Sequence, residues 1–288
     1  MKIDLETLKV GEGEKLALAD RPTAVAPLYD GKGTYEAALE DHAKQLEKRH
    51  ERLFANGRHA LLVVLQGMDS AGKDGAIKHA LRGVNPQGCR VASFKQPTPT
   101  ELRHDFLWRH QPELPERGAI AIFNRSYYEA VLVERVHPKL LANEGMDPPK
   151  DIDGFFAERL RAIRDFERHL TDSATKIVKI FLHISKDEQK RRLLARLDDE
   201  DKNWKASMAD AEERGYWKDY VRAYEEMLPA TSLKAAPWFV VPADDKKNAR
   251  LLVSQILITA MDSLPIDTPK PDAARKKELK EIRAKLEK

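Results

Sequence analysis

Cysteine is almost missing from this sequence. Cys89 stands alone among 288 residues, which excludes an intrachain disulfide and suits a reducing compartment. Long apolar runs are missing too. None approaches the ~18 residues needed to cross a bilayer, and the opening Met1-Lys2-Ile3-Asp4-Leu5-Glu6 has no apolar stretch of the signal-peptide kind. The expectation is a cytoplasmic protein without a membrane partner. Nor is there an excess of one charge: 50 Lys+Arg against 47 Asp+Glu leave a formal +3. Global charge therefore announces no nucleic-acid partner, and any basic surface must be local. The nine histidines show no metal-ligand spacing, and a single cysteine cannot build a zinc site. No G-x-S-x-G elbow marks a nucleophile, and no internal repeat is visible.

What remains is a chain with 34% charged residues, enough for many exposed helices, and a series of short apolar runs. These are "HALLVVLQG" (59–67), "GCRVASF" (88–94), "GAIAIF" (118–123), "KIVKIFLHI" (176–184) and "PWFVVPA" (237–243). The first reads as a strand covered on both faces, and the others as further strands. Helical spacing intervenes at 35–54, where Asn56-Gly57 supplies a stop, and at about 75–82, 99–110, 126–136, 151–170, 186–197, 208–228 and 246–262. Alternation of this kind predicts an α/β fold: a parallel sheet with helices on both faces. Residues 1–33, broken by glycine and proline, read as an irregular N-terminal arm. Residues 34–265 form the main domain. The proline-rich and then highly charged stretch 266–288 is a tail, either a solvated helix or a frayed end.

The stretch "LQGMDSAGKDGAI" (65–77) carries the clearest chemistry. Gly67-Met68-Asp69-Ser70-Ala71-Gly72-Lys73 fits G-x-x-x-x-G-K, the Walker A pattern. A glycine-rich loop between a strand and a helix lets backbone N–H groups converge on phosphate, and the lysine reaches the outer phosphates. The bare pattern also occurs in ordinary turns, but the strand before it and the helix after it favour phosphate. Where the pattern expects a magnesium-holding hydroxyl, the chain has Asp74. The acid expected after "GAIAIF" is also absent, replaced by Asn124-Arg125. Asp69 and Asp74 therefore read as the oxygen ligands of Mg2+, or else as acids serving a helix dipole. Arg125, at the end of a central strand, suits bidentate phosphate recognition. Lys95 is placed similarly but could be a loop lysine in water. In "DEQKRRLLARLDDEDKNWKAS" (187–207), Arg192 and Arg196 share a helix face with Arg191 one step round, and Lys202 and Lys205 follow. The segment 186–207 suits a phosphate-covering lid; an exposed helix neutralised by its acids reads the same pattern.

In order, "LQGMDSAGKDG", "GVNPQGCRVASFKQPT", "FLWR", "FNRSYYEAVLVERVH", "IFLHIS", "DKNWKAS" and "PWFVVPAD" resemble polyphosphate kinase family 2 over roughly residues 20–265. The resemblance implies a P-loop kinase-like three-layer α/β/α sandwich with a five-stranded parallel sheet and a helical lid. It implies Mg2+-dependent phosphoryl transfer between inorganic polyphosphate and AMP, ADP or ATP, without a phospho-enzyme. By motif, Asp69, Lys73, Asp74 and Arg125 are the expected catalytic residues. Gly67, Met68, Ser70, Ala71, Gly72, Lys95, Asn124, Arg191, Arg192, Arg196, Lys202 and Lys205 are the expected polyphosphate- and nucleotide-binding residues. Asn-Arg-Ser at 124–126 goes with the branch that accepts both AMP and ADP. The family tends to assemble, so a homo-oligomer is expected, with the 35–54 helix as a candidate interface. An ATP-dependent nucleoside monophosphate kinase would share this fold. A nucleotide-binding regulatory protein is the reading from another class, weakened by the absence of an N-K-x-D motif.

Overall fold

The computed structural model describes residues 4–147, 149–268 and 270–287. The first three residues of the expected arm, and Pro269 and Lys288 of the expected tail, lie outside the described residues.

Five strands form one parallel sheet in the order β2-β3-β1-β4-β5. They are β1 (Ala60–Gly67), β2 (Cys89–Ser93), β3 (Ile120–Asn124), β4 (Thr175–His183) and β5 (Trp238–Pro242). β1 is central, and all eight of its residues are buried, as a strand roofed on both faces requires. The helices are α1 (Gly31–Asn56), which precedes β1, and α2 (Lys73–Ala80), α3 (Glu129–Val136), α4 (Ile152–Asp172), α5 (Lys186–Leu197), α6 (Met208–Glu213), α7 (Trp217–Thr231), α8 (Lys246–Asp262) and α9 (Ala273–Leu286). α1, α2 and α8 pack together, and α3, α4 and α7 form a second group. The result is the expected three-layer sandwich. Among the described residues no helix is long and apolar enough to cross a membrane.

Two expectations change at the level of elements. The stretch 99–110 holds only 3-10 turns, Glu101–Arg103 and Trp108–Glu113; Asp105 Oδ1 takes Leu107 N at 2.9 Å, a local bond that competes with the helical ladder. The helix expected over 208–228 is interrupted at Gly215, so α6 and α7 are joined by a 3-10 turn at Arg214–Tyr216. α1 buries Tyr35, Leu39, Ala43, Leu46, His50 and Leu53 and packs on α8 and α2. Its apolar face is thus covered within the chain, which leaves only its outer faces to the candidate interface.

The arm is irregular apart from two 3-10 turns, yet it is anchored. Leu8, Val10 and Leu18 are buried, and Val10 N–H donates to Trp238 O at 3.0 Å. It thereby covers the open edge at β5, which would otherwise present unpaired backbone groups. α9 has no buried residue, so residues 273–286 of the tail form a solvated helix.

Candidate active site

β1 delivers the chain into the loop at Gly67. A Cβ there would lie 3.0 Å from Leu182 O and 3.1 Å from the Ala71 Cβ, so only glycine lets the loop close against β4. Gly72 has φ +106°, a conformation that L side chains rarely adopt. Ser70 takes φ 62° without being glycine, a strained choice of the kind concentrated at functional sites. Lys73 opens α2, and its Nζ donates to Gly67 O at 2.6 Å and Met68 O at 3.3 Å. The ammonium lies back over the loop that the sequence expects to hold phosphate. Burial lowers its pKa, Arg125 adds to this, and Asp69, Glu129 and Asp74 oppose it.

β3 brings the second half of the site. Its last residue, Asn124, donates from Nδ2 to Asp74 Oδ1 at 2.8 Å. The next residue, Arg125, donates from Nη2 to Asp69 Oδ1 at 2.8 Å and from Nη1 to Glu129 Oε2 at 3.2 Å. Two consecutive residues thus hold the two carboxylates that flank the loop lysine. Glu129 first, with Asp69 adding, raises the Arg125 pKa against burial, so the guanidinium is held charged.

Arg125 also has φ 63°, and a buried network fixes the segment that follows it. Tyr127 and Tyr128 hydroxyls donate to Glu167 Oε1 at 2.9 and 2.7 Å. The other Glu167 oxygen takes the Lys179 ammonium, which also donates to Thr231 O at 2.6 Å. Glu167 and Lys179 are both fully buried, and such groups persist only when paired.

The expected lid residues divide. Arg192 is buried, and its guanidinium is used up: Nη1 donates to Ser70 O (3.0 Å) and Ala71 O (2.9 Å), Nη2 to Ala243 O (2.5 Å) and Asp244 O (2.9 Å), and Nε to Glu188 Oε1 (2.7 Å). It braces the loop from behind and leaves no donor for phosphate, contrary to the expectation from the sequence. Arg196, one turn on, donates to Ser70 Oγ at 2.7 Å and to Asp210 Oδ2 at 3.1 Å. Arg191 points away and pairs with Glu188. Lys202 pairs with Asp199, and Lys205 stacks its ammonium 5.1 Å from the Trp204 ring. Lys95 is exposed, and only its carbonyl is engaged, by Arg109 at 2.7 Å.

Sequence reasoning missed Glu129 and Gln189. Glu129 stands four residues after Arg125, a spacing that signals a pair on a helix. Gln189 donates to Asp69 O at 3.1 Å, a contact that no local spacing announces. A cleft opens beside Asp69 and Arg125, walled by Leu132 and Val133 from α3, Trp217, Tyr220 and Tyr224 from α7, and Arg214. Glu213 closes it by accepting from Tyr220 Oη at 2.7 Å and bonding His137 Nε2 at 3.0 Å.

Asp69 and Asp74 fit a magnesium ion. Each uses only Oδ1 in the bonds above, leaving the second oxygen of each carboxylate free among the described residues. Mg2+ is usually held by one or two carboxylates together with substrate phosphates and water. Among the described residues no group of three or more acids, histidines or cysteines could hold a metal alone. An ion here would therefore be shared with the substrate.

Comparison with known proteins agrees with this geometry. The ADP-polyphosphate phosphotransferase of Rhodopseudomonas palustris is 52% identical over 287 residues, covering 99% of each chain. The AMP/ADP-polyphosphate phosphotransferase of Meiothermus ruber is 46% identical over 248 residues, 85% of this chain and 89% of that one. The crystal structure of polyphosphate kinase 2 from Arthrobacter aurescens TC1 superimposes with a TM-score of 0.84 at 42% identity, covering 95% of both chains. Residues 30–269 match the family Polyphosphate kinase 2, a span that includes the glycine loop, its two clamped carboxylates and the brace behind them. The chain belongs to the polyphosphate kinase 2 family.

Proposed function

We propose that this protein transfers a phosphoryl group directly between inorganic polyphosphate and ADP, and between polyphosphate and AMP, in the cytoplasm and as a homo-oligomer. The observation that supports this most is the clamp: Asn124 on Asp74 and Arg125 on Asp69, with Lys73 between the two carboxylates in sequence. Phosphoryl transfer proceeds through a loose transition state, so position and charge supply the catalysis. Lys73 would exchange the loop carbonyls for the outer phosphates of the donor. Arg125, held charged by Glu129, would face the group in transfer. Asp69 and Asp74 would hold Mg2+ jointly with the substrate, which neutralises charge on the phosphates. The cleft walled by Trp217, Tyr220 and Tyr224 would receive the acceptor, its base against the rings and its phosphates toward Arg125. Closure of residues 186–207 would bring Arg196, Lys202 and Lys205 nearer and exclude water.

The test is an incubation with Mg2+, long-chain polyphosphate and either AMP or ADP, followed by ion-exchange separation of the nucleotides. ATP from ADP, and ADP followed by ATP from AMP, are expected. Product from ADP alone would remove AMP from the proposal. Product only when ATP is the donor to a monophosphate would replace it with an ordinary nucleotide kinase.

A further inference from the structure

A second cleft adjoins the glycine loop and shares no lining residue with the first. Ala71 and Gly72 of the loop, Gly75 and Ala76 of α2, Leu182, and Lys246, Ala249 and Arg250 of α8 form its walls. No aromatic ring lines it, so a nucleoside would find nothing to stack on. Its glycines leave the wall bare, and a Cβ at Gly75 would stand 3.4 Å from Arg250 Nη2.

The cations here are not compensated. Among the described residues Lys246 has no hydrogen-bond or ion-pair partner, and Arg250 has only the Tyr35 hydroxyl at 3.3 Å. The neighbouring acids are committed elsewhere. Glu188 holds Arg191 and Arg192; Asp245 accepts from Tyr29 Oη at 2.8 Å and Lys247 N at 2.7 Å. The field along this wall is positive in consequence. Burial, then Arg192, Arg191 and Arg250, lower the Lys246 pKa against Glu188. One turn along α2, burial and then Arg250, Lys78 and Arg82 do the same to His79. Of Arg250, Lys78 and Arg82, only Arg82 has a carboxylate nearby among the described residues, Glu40 at 3.8 Å. A basic strip thus runs from the loop past Lys246 and Arg250 to Lys78.

We propose that this cleft between α2 and α8 binds the distal units of the polyphosphate donor, those beyond the phosphates held by the glycine loop. The inference rests on the polyphosphate reading above and adds the direction in which the chain leaves the site. It makes donor length matter, because a short chain ends before reaching Lys246 and Arg250.

The experiment compares the wild type with Lys246→Ala/Arg250→Ala, using long-chain polyphosphate or tripolyphosphate as donor to ADP. Lys280→Ala/Lys285→Ala, on the exposed α9, controls for loss of charge alone, and thermal melts check folding. For the long chain, KM should rise about tenfold, and the slope of log KM against log salt should fall by about 1.5, two contacts at roughly 0.7–0.9 each. For tripolyphosphate, KM should rise less than about twofold, and the control should match the wild type on both donors. An equal rise on both donors, or none on either, overturns the proposal while leaving the reaction intact. A wild type inactive with every polyphosphate overturns the functional reading instead, and the cleft's occupant with it.

Discussion

At the residue scale, the site is built from side chains whose partners lie far away in sequence, and some core side chains are held in one protonation state. His110 is the clearest of these. It is buried against Phe94, Phe123 and Tyr127. Its Nδ1 bonds Phe106 O at 3.1 Å, and its Nε2 has no partner among the described residues. Burial, with Arg109 adding, pushes its pKa down to about 3. The ring is therefore neutral in the folded protein, whereas in the unfolded chain it takes a proton near pH 6.5. Below pH 6.5 the unfolded state binds more protons, so stability falls as pH drops toward about 3. Between pH 7 and 5 this single group should cost about 2 kcal/mol. Urea unfolding of the wild type and His110→Leu at both pH values measures it. The variant should lose about that much of the pH dependence, and an unchanged dependence would exclude His110 as its source.

At the element scale, α5 shows why a helix can be found in the sequence while the roles of its residues cannot. Its bounds, Lys186–Leu197, are those expected from spacing, and Ser185 caps it, its Oγ accepting from Glu188 N at 3.2 Å. The same spacing predicts that Arg192 and Arg196 share a face, and both do reach Ser70. What spacing cannot give is the partner. Arg192 meets carbonyls from the glycine loop and from the residues after β5, sequence separations of 122 and 51, and so became a brace. Replacing it by Met should leave four carbonyls unpaired, with Glu188 keeping only Arg191, and cost about 3 kcal/mol. Arg191→Ala, on the solvent side of the same helix, should leave the urea midpoint unmoved. Equal effects would refute the division of roles. The sheet, by contrast, was readable to within two residues at each strand end, because its strands are short, predominantly apolar runs, although the edge strand β2 is largely exposed and β4 carries the buried Lys179. The stretch 99–110 misled because its apolar spacing was helical while Asp105 turns the backbone with a local side-chain bond. The strained backbones of Ser70 and Arg125 were invisible, since neither residue is the glycine that advertises a positive φ.

At the scale of the whole molecule, the fold gathers charge that the composition hides. A net +3 gives no hint that Lys73, Arg125 and Arg196 converge on one loop at the carboxyl ends of the strands, where open α/β sheets bind ligands. The sandwich also gives that loop two sides, an aromatic-walled cleft and a basic one. This arrangement suits an acceptor with a base and a donor without one. The decisive measurement is the rate of ATP formation from ADP, long-chain polyphosphate and Mg2+ by the wild type and by Lys73→Ala, with thermal melts run on both. The wild type should form ATP, and the variant should lose about 3–4 kcal/mol of barrier stabilisation, roughly 10²–10³ in turnover, while melting unchanged. A folded Lys73→Ala protein that turns over at a near-normal rate would contradict phosphoryl transfer at this loop.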